Sequence, residues 1–470
     1  MAFHYRKLAD QIAERIYSGE IKSHHKLSSL RVFAKNHHVS MTTAKSCYEL
    51  LESRGLIFSK PKSGYFVKNI NKFIDLQTYP EFNSYPRSIT NLELQSEIQQ
   101  ASISHSRVHL GAIQLSPKII PIEMLRRSIQ RALKHSAPED FLYNDLQGHL
   151  KLRQALSNHW AEDGVYIPED SIFITHGCMS AISTVIQLLT QAGDSIIIPT
   201  PNYNGQQLLL ANLGRKILEI PASNIGIDLQ RLEEVMAESK AKVCLLTVNY
   251  HNPLGFCLSN TDKEKIIELA VKYQCFIIED DIYSECGHNT FRPLPIQYWD
   301  KDGYVFLCSS ISKSLSPAYR MGWLCLPYQQ GHFRDRLLSL LSQVNTPLQL
   351  GLADFINSRA YRNHLNTLRF NLLNQVEEYR SFIKENFTDL EVKVTQPEGG
   401  YCLWIQLPNG VKGINMYKFA QEQGINIVPG EVFGADQKYD NFIRINAGYP
   451  LNSYIKKALT ILRDWIKSQV

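Results

Sequence analysis

Leu8, Ile12 and Ile16 recur every fourth residue near the start of the chain, which predicts a helix with one apolar stripe, stopped at Gly19. A short second helix fits SSLRVFAKNH, with Ser28 or Ser29 as N-cap, and a third begins after Ser40, its N-cap. In the third, Ala44, Cys47, Tyr48 and Leu51 form the buried face, while Thr42, Thr43, Lys45, Ser46 and Glu49 point outward. GLIFSKPKSGYFV then alternates around a Pro-Lys-Ser-Gly turn, a hairpin pattern with Lys60 and Lys62 near its tip. Between Asn69 and about Ser104 no period holds for long, so this stretch reads as a linker with one short helix in LELQSEIQQ. Beyond it, the runs SIFIT, SIIIP, KVCLLTVN, CFIIED, YVFLCS and MGWLCL are separated by helical patterns, which predicts an α/β body around a largely parallel sheet.

Composition adds limits to this picture. A chain of 470 residues, 44% apolar and 20% charged, is long enough for two or three domains with large cores. No apolar run approaches the ~18 residues of a membrane span, and the charged, amphipathic start lacks a signal-peptide core, so a cytoplasmic protein without a membrane partner is expected. The nine cysteines are scattered singly with no C-x-x-C pair, which argues against a disulfide frame or a zinc site, and no metal is expected. Charge is unevenly divided: residues 1–70 hold 12 Lys and Arg against 5 Asp and Glu, whereas the remainder balances near neutrality. A basic end on a neutral body fits a nucleic-acid reader joined to something larger.

Two short helices joined by a tight turn, the second polar on its outer face, match a helix-turn-helix whose second helix enters the major groove of double-stranded DNA. The bland alternative is a three-helix protein-interaction domain with a solvated basic face. LADQIAERIYSGEIK, KLSSLRVFAKNHHVSMTTAKSCYELLESRGLI and KSGYFV resemble successive parts of the GntR-type winged helix-turn-helix, over residues 5–68. The resemblance implies DNA contacts from Arg31, Ser40, Thr42, Thr43 and Lys45, beside a basic hairpin tip whose Lys60 and Lys62 suit phosphate or the minor groove. The chain departs from the family at Ser23-His24, usually Pro-Gly, at Ser28, usually Pro, and at Met41, usually an arginine that contacts DNA.

In an open α/β sheet the ligand crevice lies beyond the carboxyl ends of the strands, so the residues after each run belong together. They are His176, Gly177, Cys178 and Met179; Pro201, Asn202 and Tyr203; Asn249 and Asn252; Glu279, Asp280, Asp281 and Tyr283; and Ser309, Ser310, Ser312 and Lys313, with Arg320 following. Free N–H groups after Gly177, serine hydroxyls and the Arg320 fork suit a phosphate. Tyr203 can stack on a flat ring, Asp280 can keep a pyridine nitrogen protonated, and Asn252 with Tyr283 can hold a phenolate oxygen. A lysine in a partly dry pocket becomes an amine nucleophile toward an aldehyde. Phosphate, ring nitrogen, phenolate and aldehyde together describe pyridoxal 5'-phosphate. Each residue singly also has an ordinary reading, Asp280 and Asp281 as helix caps and NPLG as a plain turn.

From about Val108 to Val470 the chain resembles a fold-type I aminotransferase, on YNDLQGHLKLRQAL, HNPLG, EDDIY, SISKSLSPAYRMGW and FIRINAG in that order. As a whole it resembles the MocR/GabR-type regulators, which join a GntR-type domain to an aminotransferase-like one. The resemblance implies that Lys313 carries the Schiff base with the cofactor, Asp280 pairs with its ring nitrogen, and Asn252 and Tyr283 hold its ring oxygen. Tyr203 would stack on the ring. The phosphate would fall to Gly177, the backbone of Cys178 and Met179, Ser310, Ser312 and Arg320, with Tyr143 reaching across a dimer, and Arg444 would grip an effector carboxylate. The expected layout is a DNA-binding domain over 1–68, a linker over 69–104 and an aminotransferase-like body over 105–470. The expected function is a homodimeric, head-to-tail regulator that senses the cofactor or an amino compound. The competing expectation is a working aminotransferase with a DNA-binding extension.

Overall fold

The computed structural model describes residues 4–17, 20–21, 25–53, 56–60, 64–67, 84–88, 92–102, 108–289, 291–434 and 438–470. The chain divides into two compact units, Met1–Phe73 with His288–Thr290, and Ile74–Gly287 with Phe291–Val470.

In the N-terminal unit the three expected helices are His4–Tyr17, Leu30–Asn36 and Met41–Ser53. Leu8, Ile12 and Ile16 are buried, as are Ala44, Cys47, Tyr48 and Leu51, so both stripes face one small core. Ser29 is the cap of the second helix, its hydroxyl accepting from Val32 N at 3.3 Å, and Ser40 Oγ accepts from Thr43 N at 3.1 Å. Each such cap contributes about 1 kcal/mol. Strands Ile57–Lys60 and Gly64–Val67 pair antiparallel, Ile57 opposite Val67. The Tyr48 ring meets Phe33 and Tyr65 at 5.0 Å, and its hydroxyl donates to Ser28 O at 2.9 Å, joining helices to hairpin. Gly19, Ser23, His24 and Lys62 lie outside the described residues.

The helix expected in the linker stretch is Leu92–Ser102. Ser84 and Arg87 belong to the larger unit: Arg87 forms a bridge with Ile217, and its guanidinium pairs with the buried Glu219 at 2.9 Å.

All six apolar runs are strands of one eight-stranded sheet. Its order is Ile172–Thr175, Gly322–Cys325, Val305–Ser310, Phe276–Asp280, Val243–Leu246, Ser195–Thr200, Lys216–Ser223 and Gly226–Ile227. The Val305, Phe276, Val243, Ser195 and Lys216 strands are mutually parallel, so their carboxyl ends share one edge. Gly322–Cys325 runs antiparallel to both neighbours. Alternate residues enter different cores: Ile196 and Ile198 lie in one cluster, and Ile197 in the other. Burial on both faces explains why these strands read as continuous apolar runs rather than alternating ones. A four-stranded antiparallel sheet, ordered Lys393–Val394, Cys402–Gln406, Phe442–Asn446 and Val428–Pro429, brings FIRINAG and its Arg444 into the larger unit. All nine cysteines are free, and no helix among the described residues is long and apolar enough to cross a membrane.

Candidate functional site

Asp280 ends its strand fully enclosed, with three donors on its carboxylate. The Cys178 thiol donates to Oδ1 at 3.2 Å, Gln206 Nε2 to Oδ2 at 2.6 Å, and Ile282 N to Oδ1 at 3.3 Å. Burial raises its pKa, against the downward pull of those hydrogen bonds. A carboxylate held this way favours a cationic group opposite it.

Lys313 follows the Val305–Ser310 strand, and its Nζ donates to Ile113 O at 2.7 Å, 5.9 Å from the centre of the Tyr283 ring. Burial lowers its ammonium pKa from the ordinary 10.5 to about 8. A neutral amine is therefore accessible near physiological pH, which is what attack on an aldehyde requires. Asn252 Nδ2 lies 3.3 Å from the Tyr283 hydroxyl, and Arg444 Nη1 donates to Asn252 Oδ1 at 3.4 Å. Arg444 is buried; its other guanidinium end donates to Gly111 O at 2.5 Å, and its Nε has no acceptor. A buried arginine whose hydrogen-bond acceptors among the described residues are a carbonyl and an amide, with no carboxylate among them, is suited to a carboxylate ligand.

Gly177 caps the helix Cys178–Leu189 with φ 92°. A Cβ there would fall 2.9 Å from Arg320 Nη2, and one on Gly322 would fall 2.5 Å from the Gly177 carbonyl carbon. The two glycines thus let the Arg320 guanidinium, which donates to His176 O at 3.2 Å, approach the helix start. The first N–H groups of a helix have no intrahelical acceptor and carry partial positive charge, so this corner fits a phosphate. Ser310 and Ser312 are buried beside it on the chain, Ser310 Oγ accepting from Ser312 N at 3.2 Å. Tyr203 caps the neighbouring helix Asn204–Asn212, and its ring fills the space that a Cβ on Gly205 would need. Phosphate corner, enclosed carboxylate, phenol–amide pair and low-pKa lysine fit one phosphorylated pyridine aldehyde.

Tyr143 stands apart from this group: it is fully exposed, beside exposed Phe141 and Leu142. Sequence reasoning missed Gln206 and the carbonyls of Gly111 and Ile113, whose partners lie distant in sequence. In the N-terminal unit, Arg31, Ser40, Thr42 and Lys45 are exposed and Thr43 is half-buried. The hydroxyls of Ser40 and Thr43 lie 2.9 Å apart, and Lys45 pairs with Glu49 at 3.4 Å. Lys60 ends the first wing strand.

Comparison with known proteins agrees with both units. The family "Aminotransferase class I and II" matches residues 113–460, and "Bacterial regulatory proteins, gntR family" matches residues 4–67. The uncharacterized HTH-type transcriptional regulators YjiR and YdcR of Escherichia coli (strain K12) are each 32% identical, over 97% and 99% of this chain and the same shares of their own. The HTH-type transcriptional regulator NorG of Staphylococcus aureus (strain USA300) is 26% identical over 94% of this chain and 99% of its own. Among solved structures, Pyrococcus horikoshii kynurenine aminotransferase, in complex with PMP, superposes with a TM-score of 0.73 at 24% identity, covering 85% of this chain and 98% of that one. The Thermococcus profundus multiple substrate aminotransferase gives 0.72 at 23%, covering 80% and 95%. Two units, one of each kind in a single chain, place this protein in the family of regulators that join a gntR-type helix-turn-helix to an aminotransferase class I and II domain.

Proposed function

We propose that the protein is a DNA-binding transcription regulator whose body binds pyridoxal 5'-phosphate and responds to it, or to an amino compound, by changing how its reading heads are presented. The observation that carries this reading is the presence in one chain of a gntR-type unit and of a strand-end site uniting Lys313, Asp280 and Arg444. The boundaries proposed are a reading head over 1–68, a linker over 69–104 and a body over 105–470, in a cytoplasmic homodimer.

When bound, the cofactor supplies an aldehyde that joins to amines. Lys313 offers the amine, its proton already loosened by burial. Asp280 keeps the ring nitrogen protonated, with Cys178 and Gln206 fixing the carboxylate plane. Asn252 and Tyr283 orient the ring oxygen, and Tyr203 covers a ring face. Gly177, the N–H groups of Cys178 and Met179, Ser310, Ser312 and Arg320 bind the phosphate, with Tyr143 contributed by the partner in a head-to-tail dimer. Arg444 takes the carboxylate of an amino-compound effector, which gives that ligand a differential contact capable of shifting a conformational equilibrium. On double-stranded DNA, Arg31, Ser40, Thr42, Thr43 and Lys45 face the groove, with Lys60 and Lys62 on the wing.

Lys313, Asp280 and Arg444 also form the set a working aminotransferase needs, and sustained keto-acid production from many amino donors would favour that second reading. The cofactor assignment is tested by absorption spectroscopy of the full-length protein. Wild type loaded with pyridoxal 5'-phosphate is expected to show the visible band of the lysine-linked cofactor, and Lys313→Ala to lack it. A variant that keeps the wild-type band contradicts the assignment.

A further inference from the structure

We propose that Lys263, Asn249 and Asp281 form a buried positioning relay that fixes the two loops carrying Asn252 and Tyr283, and so sets how the body grips the ring oxygen of its cofactor. The proposal rests on the reading of the body as a pyridoxal 5'-phosphate site.

All three residues are essentially inaccessible. Lys263, from the helix Asn260–Tyr273, donates to Asn249 Oδ1 at 2.7 Å and to Leu294 O at 2.8 Å. Asn249 Nδ2 donates in turn to Asp281 Oδ1 at 2.7 Å. An ammonium can only donate and an ionised carboxylate can only accept, so the group between them must do both, which an amide does. Glutamine is the other side chain that carries an amide, and it is one methylene longer than these spacings accommodate. An aspartate there would accept from Lys263 but face Asp281 as a like charge.

Position gives the relay its consequence. Asn249 precedes Asn252 by three residues and Asp281 precedes Tyr283 by two, so the Asn249–Asp281 bond ties the two loops together at their roots. The loops meet again through the 3.3 Å contact between Asn252 and the Tyr283 hydroxyl. Tyr250, between Asn249 and Asn252, has φ 59°, a conformation a side chain larger than glycine keeps only when its surroundings hold it. Gly399 makes that hold close: a Cβ there would lie 2.4 Å from the Tyr250 ring. Asp281 is fixed as firmly, its N–H donating to Cys308 O at 2.8 Å and its carbonyl accepting from Ser309 Oγ at 3.0 Å and Ser284 Oγ at 3.1 Å. Glu279, two residues earlier, is engaged by the N–H groups of Ile296 and Gln297 at 2.8 and 3.2 Å, while Asp281 is favoured as the ion by its bond from Asn249 and by the positive charges of Arg292 and Lys263. Among the described residues, the side-chain hydrogen bonds of Asn249, Lys263 and Asp281 reach none of the residues proposed to touch the cofactor, so they act by position.

The test compares full-length wild type with Lys263→Met, which keeps the length of the unbranched stem and removes the ammonium group. Pyridoxal 5'-phosphate is titrated while visible absorption and the circular dichroism of the bound cofactor are followed, beside the melting temperature. The relay predicts about tenfold weaker binding and an altered dichroism band in the fully loaded variant, because the ring is held at a different angle. A variant that melts earlier yet binds with wild-type affinity and dichroism shows a merely structural role and overturns the relay. Should Lys263→Met not fold, Asn249→Gln keeps the amide's donor and acceptor while displacing them; the same two signatures are expected, and wild-type values overturn the relay. Wild type that binds no pyridoxal 5'-phosphate overturns the parent reading instead.

Discussion

The two units place their functional residues in opposite ways. In the N-terminal unit the apolar stripes of three short helices are used up on one small core, and of the residues proposed to meet DNA, Arg31, Ser40, Thr42 and Lys45 stand exposed and Thr43 is half-buried. In the larger unit most of the residues proposed to meet the cofactor are drawn inside, Asp280, Asn252, Tyr283, Ser310 and Ser312 among them, at the ends of strands whose faces are both covered, while Arg320 and Tyr143 are exposed. Exposed side chains owe their geometry to the partner they meet, whereas buried polar ones must be matched by the protein itself. The site in the body is therefore defined by its own hydrogen bonds. The proposed DNA-reading surface is tied by local contacts, Ser40 with Thr43 and Lys45 with Glu49.

That contrast can be broken at its strongest point by Leu51→Ala. Leu51 is fully buried in the smaller core, and the truncation costs about 2–5 kcal/mol. The expected result is loss of the head's folding transition and of DNA binding, while the visible cofactor band survives; parallel thermal denaturation and absorption spectra check it. A smaller effect is expected on the other side of the comparison. Arg320→Ala removes one charge-assisted contact to the phosphate, worth about 1.5–3 kcal/mol, so cofactor affinity should fall roughly 10- to 100-fold with DNA binding in the unliganded state unchanged, as measured by titration. The mildest is Arg31→Ala. With Arg31 proposed to meet a phosphate at the edge of the groove, its loss should weaken binding to all DNA sequences alike and reduce the salt slope by about 1, which fluorescence anisotropy at several salt concentrations measures.

The same contrast decides what could be read in advance. Leu8, Ile12 and Ile16, and the face from Ala44 to Leu51, follow the helical period, so the reading helices were legible residue by residue. The six strand runs were legible because burial on both faces leaves them uniformly apolar. Lys216–Ser223 was not, since Glu219 and Pro221 interrupt it, and the buried Glu219 pairs with Arg87, far away in sequence. Gln206 and Lys263 escaped notice for a related reason: on helices they read as solvated positions, and only the fold shows them turned inward onto Asp280 and Asn249. Tyr143 matches a family pattern yet stands fully exposed in a single chain, so its proposed role requires a second copy.

The central claim is that the state of the body's site governs what the head does on DNA. Footprinting of the full-length protein on its own upstream DNA tests it most directly, without ligand, with pyridoxal 5'-phosphate, and with the cofactor plus candidate amines. The account predicts protection of a discrete segment that weakens steeply with salt and changes in extent or affinity when the cofactor or an amine is added. Absence of any discrete protection, or a footprint identical in all three states, would contradict it.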